Sequence, residues 1–128
     1  MSNAATVSTM SSYAILGCGS VGHAVAEGIA DEGKNVLILD RDESLVEALR
    51  DQDLDARQTD IRDDEVADLV ADRDVLLILA SDVEANKAAV STIRERGGDQ
   101  FIIVRASDPV SEDELTEAGA DVVITPSQ

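Results

Sequence analysis

Cysteine and histidine occur once each in this 128-residue chain, as Cys18 and His23. A single cysteine excludes an intrachain disulfide and fits a reducing compartment, so a cytoplasmic location is expected. A single histidine, with no second ligand at useful spacing, offers no metal centre, and His23 is expected to be structural or exposed. No Ser–His–Asp set and no acid–base pair stands out. No catalytic residue is therefore assigned, and the chain reads as non-enzymatic.

Positive charge is also scarce. Ten Lys and Arg, of which only Lys34 and Lys87 are lysines, face 27 Asp and Glu, for a net charge of −17. Such a field repels nucleic-acid phosphates and anionic lipid, which excludes both as partners. Acid excess with few lysines points to a salt-rich cytoplasm, where the screening length falls to roughly 3 Å at 1 M salt. An ordinary acidic protein is the alternative. Long apolar runs are missing too. The longest, Val75–Ala80, is far short of the roughly 20 residues a membrane helix needs, so direct membrane insertion is not expected. Met1–Ser12, rich in Ser, Thr and Ala, lacks the apolar core of a signal peptide. It reads as a disordered leader or tag remnant, with Met10 as an alternative natural start.

What remains is ample apolar content, at 44%, in a length that suits one domain and leaves little room for a substrate domain. Short apolar runs at Tyr13–Leu16, Val36–Leu39, Val75–Leu79, Phe101–Val104 and Val122–Ile124 predict strands, with a further short one at Asp55–Gln58. Helical spacing predicts helices over Val21–Gly33, Ser44–Arg50, Asp63–Val70, Asp82–Arg96 and Glu112–Ala118. Strand and helix alternate about six times. That alternation predicts a Rossmann-like, doubly wound, six-stranded parallel sheet with helices on both faces, over residues 13–126.

Gly17-Cys18-Gly19-Ser20-Val21-Gly22 follows the first strand and opens a helix. In that context the G-x-G-x-x-G spacing marks a dinucleotide loop. Gly17 allows the tight turn, Gly19 admits the pyrophosphate to the backbone, and Gly22 lets helix and strand approach. Cys18 lies beside a helix N-terminus, which could lower its pKa and open a redox role. A small filler residue is the plainer reading.

Asp40 ends the second strand, where an acid bonds the adenosine ribose and disfavours a 2′-phosphate. Arg41 follows it and could instead accept such a phosphate. The alternative for Asp40 is a helix cap before Ser44. Asp60 follows the third strand, either near the adenine or as a cap. Ala80, Ser81 and Asp82 follow the fourth strand and are expected to line the crevice, Asp82 also serving as a cap. Arg105 ends the fifth strand, as a phosphate ligand or as the partner of an acid. Asn86 is either part of this set or surface decoration.

These residues resemble the TrkA-N domain family, also called the RCK or KTN N-terminal domain, of potassium channel and transporter regulators. The resemblance rests on the glycine loop, Asp40, Thr59-Asp60, Ser81-Asp82 with Asn86, Arg105-Ala106-Ser107-Asp108 and the closing Gly119–Pro126. It implies binding of NAD(H), with ATP/ADP or AMP as further ligands, a homodimer, and a membrane potassium transporter subunit as partner. Ser20 stands where many members carry an Arg that touches phosphates, a departure that counts against ATP. The resemblance also extends to archaeal proteins that join such a domain to a DHH-type phosphoesterase. An N-terminal module of that enzyme is therefore one alternative, and an NAD-dependent redox domain is another.

Overall fold

The computed structural model describes residues 12–125. The proposed leader up to Ser11, and Pro126 at the end of the family-like closing segment, lie outside them. Strands β1 (Ser12–Leu16), β2 (Asn35–Asp40), β3 (Asp55–Gln58), β4 (Val75–Ile78), β5 (Phe101–Arg105) and β6 (Val122–Ile124) alternate with helices. The helices are α1 (Gly19–Asp31), α2 (Glu43–Asp51), α3 (Glu65–Leu69), α4 (Val83–Glu95) and α5 (Pro109–Ala118). Ser12, assigned to the leader on sequence, instead pairs with Asn35 at the start of β1.

The sheet runs β3-β2-β1-β4-β5-β6, and every neighbouring pair is parallel. This is the doubly wound Rossmann order. Parallel strands joined by crossovers carry helices on their faces, so both faces of the central strands must be apolar. Side chains alternate accordingly. Ala14, Leu16, Leu37, Leu39, Leu76, Ile78, Ile102 and Val104 pack under α3, α4 and α5. Ile15, Val36, Ile38 and Ala56 face the other way, with Ala26 of α1 and Val46 and Leu49 of α2. Truncating one of these side chains, such as Ile38→Ala, costs about 2–5 kcal/mol.

The same alternation leaves the α1 face open beyond β4. There Phe101, Val122 and Ile124 are among the exposed large apolar residues.

Capping explains where the helices begin. Asp42 accepts from Leu45 N at 3.2 Å, Asp82 from Glu84 N at 3.0 Å, and Asp108 from Ser111 N at 2.8 Å. The cap at Asp108 starts α5 three residues earlier than its apolar pattern suggests, because Pro109 suits a first helical turn. The segment expected as a helix over residues 63–70 is shorter, Glu65–Leu69. The strand order reverses between β1 and β4. The connections that leave the carboxyl ends of these two parallel strands therefore run to opposite faces of the sheet and leave a crevice.

Candidate functional site

A cleft of about 370 Å³ occupies that crevice. Its floor is the turn from β1 into α1. Gly17 has φ +77°, and a Cβ there would stand 2.5 Å from Ala80 Cβ and 2.9 Å from Ala80 N. Only glycine lets the β1 turn pass so close to the end of β4. Gly19 has φ +56°, and no atom lies within 4 Å of the place its Cβ would take. The backbone there is bare and faces open space. Helix α1 begins at this point without a side-chain cap, unlike α2, α4 and α5. Its first N–H groups and positive dipole end are therefore available to an anion. Gly22 lies off the cleft. A Cβ on it would come within 3.1 Å of Cys18 Sγ and 3.3 Å of Ile15 Cγ2, so its role is close packing of helix on strand.

The loop is tied to β2 by Asp40. Cys18 N donates to Asp40 Oδ2 at 2.7 Å, and Asp42 N donates to Oδ1 at 2.9 Å. Asp40 is therefore no helix cap, since that task falls to Asp42. Cys18 is buried, and its thiol is pushed up to about 11, first by burial and then by the Asp40 carboxylate. This corrects the expectation of a lowered pKa: the helix N-terminus does not outweigh loss of water and a neighbouring negative charge. A buried thiol kept protonated near neutral pH is a poor nucleophile, which counts against the redox role.

Asp60 is neither a cap nor free. Arg62 grips it through Nε at 3.1 Å and Nη2 at 3.0 Å, and Arg62 N donates at 2.9 Å. These hydrogen bonds hold the Asp60 carboxyl down at about 2. Asp82 serves both expected purposes, capping α4 and lining the cleft with Ala80 and Ser81. Asn86 is fully buried, not decoration. Its Nδ2 donates to Ala80 O at 2.8 Å and Arg105 O at 3.0 Å, which pins the ends of β4 and β5 together.

Charges in the cleft are arranged unlike those of the surface. Three carboxylates line it, Asp40, Asp60 and Asp82, and each is engaged by backbone N–H groups or by Arg62. Three arginines line it as well: Arg41, Arg62 and Arg105. Arg62 is paired. The guanidiniums of Arg41 and Arg105 make no hydrogen bond or ion pair with any described residue. The salt bridge expected as an alternative for Arg105 is thus absent among the described residues. His23 lies outside the cleft, where its Nε2 meets Gln52 Oε1 at 2.9 Å.

A family model described as the TrkA-N domain matches residues 13–126. The chain belongs to the TrkA-N family. Among solved structures, it is similar to the NAD(P)-binding domain of an exopolyphosphatase-related protein from Archaeoglobus fulgidus. That match has 28% identity and a TM-score of 0.81, over 90% of this chain and 87% of that one. The GsuK channel bound to NAD shares the fold, with 18% identity and a TM-score of 0.80 over 91% of this chain and 21% of that one. A curated relative, the NADP(+) shikimate dehydrogenase of Haloarcula marismortui, is 41% identical over 71 residues. Those residues are 56% of this chain, and the match spans about a quarter (26%) of that enzyme's length.

For this TrkA-N domain, the structure gathers Gly17, Cys18, Gly19, Ser20 and Val21 at the cleft floor. Asp40, Arg41 and Asp60 stand on the β2–β3 side, and Ala80, Ser81, Asp82 and Arg105 on the β4–β5 side. Of the residues assigned to the site on sequence, Gly22 is the one outside it. Arg62 was missed, along with the lining residues Thr59, Ile61, Leu79 and Ala85. A signal for Arg62 was present: it is a lone base among Asp60, Asp63 and Asp64, four residues beyond the end of β3. No group of three or more potential metal ligands occurs among the described residues. No helix among them is long and apolar enough to cross a membrane.

Proposed function

We propose that this TrkA-N domain is a regulatory module that binds NAD(H), with ADP or AMP as related ligands, in the cleft between β1 and β4. The observation that carries this reading is a polarity reversal. In a chain of net charge −17, the cleft keeps two guanidiniums without a partner among the described residues and an uncapped helix N-terminus, while its carboxylates are engaged. An anionic ligand with ribose hydroxyls suits that set. The pyrophosphate rests on Gly17–Val21, the adenosine ribose meets Asp40 and Arg41, and the adenine lies toward Asp60. The rest of the dinucleotide passes over Ala80–Asp82 toward Arg105. No residue here is assigned a catalytic task, and occupancy acts by changing how the domain meets its partners.

Those partners are a second copy of the domain and a membrane potassium transport subunit, with the domain on the cytoplasmic side. The family and the channel with this fold support the transport partner. The open apolar face of β5 and β6 supports pairing. A second reading has support in the 28% identity to the exopolyphosphatase-related domain: the same module would then govern a phosphoesterase. A redox domain is the weaker alternative, since the match to shikimate dehydrogenase covers only 26% of that enzyme.

Calorimetric titration of the chain with NADH, ADP and AMP tests the shared core of these readings. One site per chain is expected. Absence of heat with all three nucleotides would remove the nucleotide reading.

A further inference from the structure

In this chain a cation without a partner is an anomaly. Acids outnumber bases 27 to 10, and nearly every Lys and Arg has found a hydrogen bond or ion pair. Arg41 and Arg105 have none among the described residues, and both line one cleft. Arg41 sits within the electrostatic reach of Asp60, whose carboxyl it helps to hold down. Among the described residues Arg105 has no such neighbour. Asp82, the acid on its side of the cleft, is occupied in capping α4, and nearby Asp108 caps α5.

The position of Arg105 is fixed from two directions. Its own carbonyl is held by the buried Asn86 amide at 3.0 Å, and Ala106 N donates to Ile124 O at 2.8 Å. Parity along β5 then orients the side chain. Ile102 and Val104 point into the core under α4, so Arg105 projects from the opposite face, the face that carries α1. Strand spacing of roughly 4.8 Å puts the end of β5 about 10 Å from the end of β1, with β4 between. An extended arginine side chain covers much of that gap. The glycine loop itself, Gly17-Cys18-Gly19-Ser20-Val21-Gly22, holds no cation.

We infer that Arg105 is a specificity-determining residue that reads a terminal phosphate, so the cleft prefers a nucleoside diphosphate of the ADP class to the monophosphate. This inference rests on the nucleotide reading above. With the first phosphate at the α1 N-terminus and the adenosine toward β2, the next phosphate extends over β4 toward the Arg105 guanidinium. A charge-assisted hydrogen bond there adds affinity that AMP lacks. Ligands that end at the first phosphate leave Arg105 unpaired.

The test is calorimetric titration of AMP and ADP in 1 M KCl with a chelator. Screening to roughly 3 Å leaves only contacts at short range, and no divalent cation bridges the phosphates. The original protein is expected to bind ADP about tenfold more tightly than AMP, as one charge-assisted hydrogen bond warrants. Arg105→Gln should abolish that preference by weakening ADP binding about tenfold while AMP binding changes less than twofold. Arg105→Lys should restore part of it. Equal affinities in the original protein would overturn the inference without any variant. Equal weakening of both nucleotides in Arg105→Gln, or no effect on either, would overturn it as well. Failure of the original protein to bind either nucleotide would be a different result, removing the nucleotide reading and this inference together.

Discussion

Cys18 N donates to Asp40 Oδ2 at 2.7 Å, and this hydrogen bond, with the one from Gly17 N to Leu39 O at 2.8 Å, joins the glycine loop to the end of β2. It makes Asp40 a structural residue of the loop before any ligand arrives. Asp40→Ala leaves the buried Cys18 amide without its acceptor, which costs about 1–3 kcal/mol. Asp40→Asn keeps an acceptor oxygen and should cost less. Chemical denaturation of both variants checks this. Equal stability of Asp40→Ala and the original protein would show that the bond is dispensable.

The same carboxylate sets a preference among dinucleotides. Its charge disfavours a ribose 2′-phosphate, while the unpaired Arg41 partly offsets that repulsion. NADH is expected to bind about tenfold more tightly than NADPH, a difference of about 1.4 kcal/mol. Arg41→Ala should widen the gap, and Asp40→Asn should narrow it. Competition titrations read the ratio directly. Tighter binding of NADPH by the original protein would mean that Arg41 governs the pocket.

Gly17 and Gly19 both have positive φ, yet substitution should separate them. At Gly17 a methyl group collides with the Ala80 backbone, so Gly17→Ala should cost about 3 kcal/mol or more from overpacking and backbone strain together. At Gly19 the space is open, so Gly19→Ala should cost only about 1–2 kcal/mol of strain. Its methyl would occupy the room meant for the pyrophosphate, so nucleotide affinity should fall in a folded protein. Unchanged affinity in Gly19→Ala would take the loop out of the site.

Burial of Cys18 yields a pH prediction. Its folded pKa is about 11 against an ordinary value of 9.0. Between those values the unfolded chain has lost the thiol proton and the folded chain retains it. Stability from this group is therefore complete below about 9 and declines as pH rises toward 11. Alkylation by iodoacetamide should be slow at pH 8 in the native state and fast after unfolding. Rapid native labelling at pH 8 would contradict the buried environment.

Net charge of −17 should destabilise the compact state through self-repulsion, which KCl screens. Melting temperature is expected to rise steeply between roughly 0.1 and 2 M KCl. A variant with several exposed Asp changed to Asn should be more stable at low salt and respond less to KCl. That second comparison separates screening from general salting-out. A flat melting temperature would dismiss the reading of salt adaptation.

Much of the fold was legible because apolar runs in covered parallel strands, such as Val75–Leu79, stand out from acidic surroundings. The glycine loop was legible for the same reason, since its spacing has a mechanical cause at Gly17 and Gly19. Partnerships across space were not. In sequence Asn86 fits either the crevice set or the surface, and only the fold shows its amide closing the gap between Ala80 and Arg105. Arg62 gave only a weak cue, because its pairing with Asp60 depends on the turn that brings them together. The raised pKa of Cys18 was not legible, because a helix N-terminus is visible in sequence, whereas burial and the approach of Asp40 are products of the fold.

Amide chemical-shift mapping on titration with NADH is the most direct test of the central claim, because it locates the ligand as well as detecting it. Saturable shifts are expected at Cys18–Val21, Asp40–Arg41 and Ala80–Asp82, with the Gly19 amide among the largest. Saturable shifts confined to another surface, such as Glu27, Asp31 and Gln52, or no shifts at all, would contradict the account.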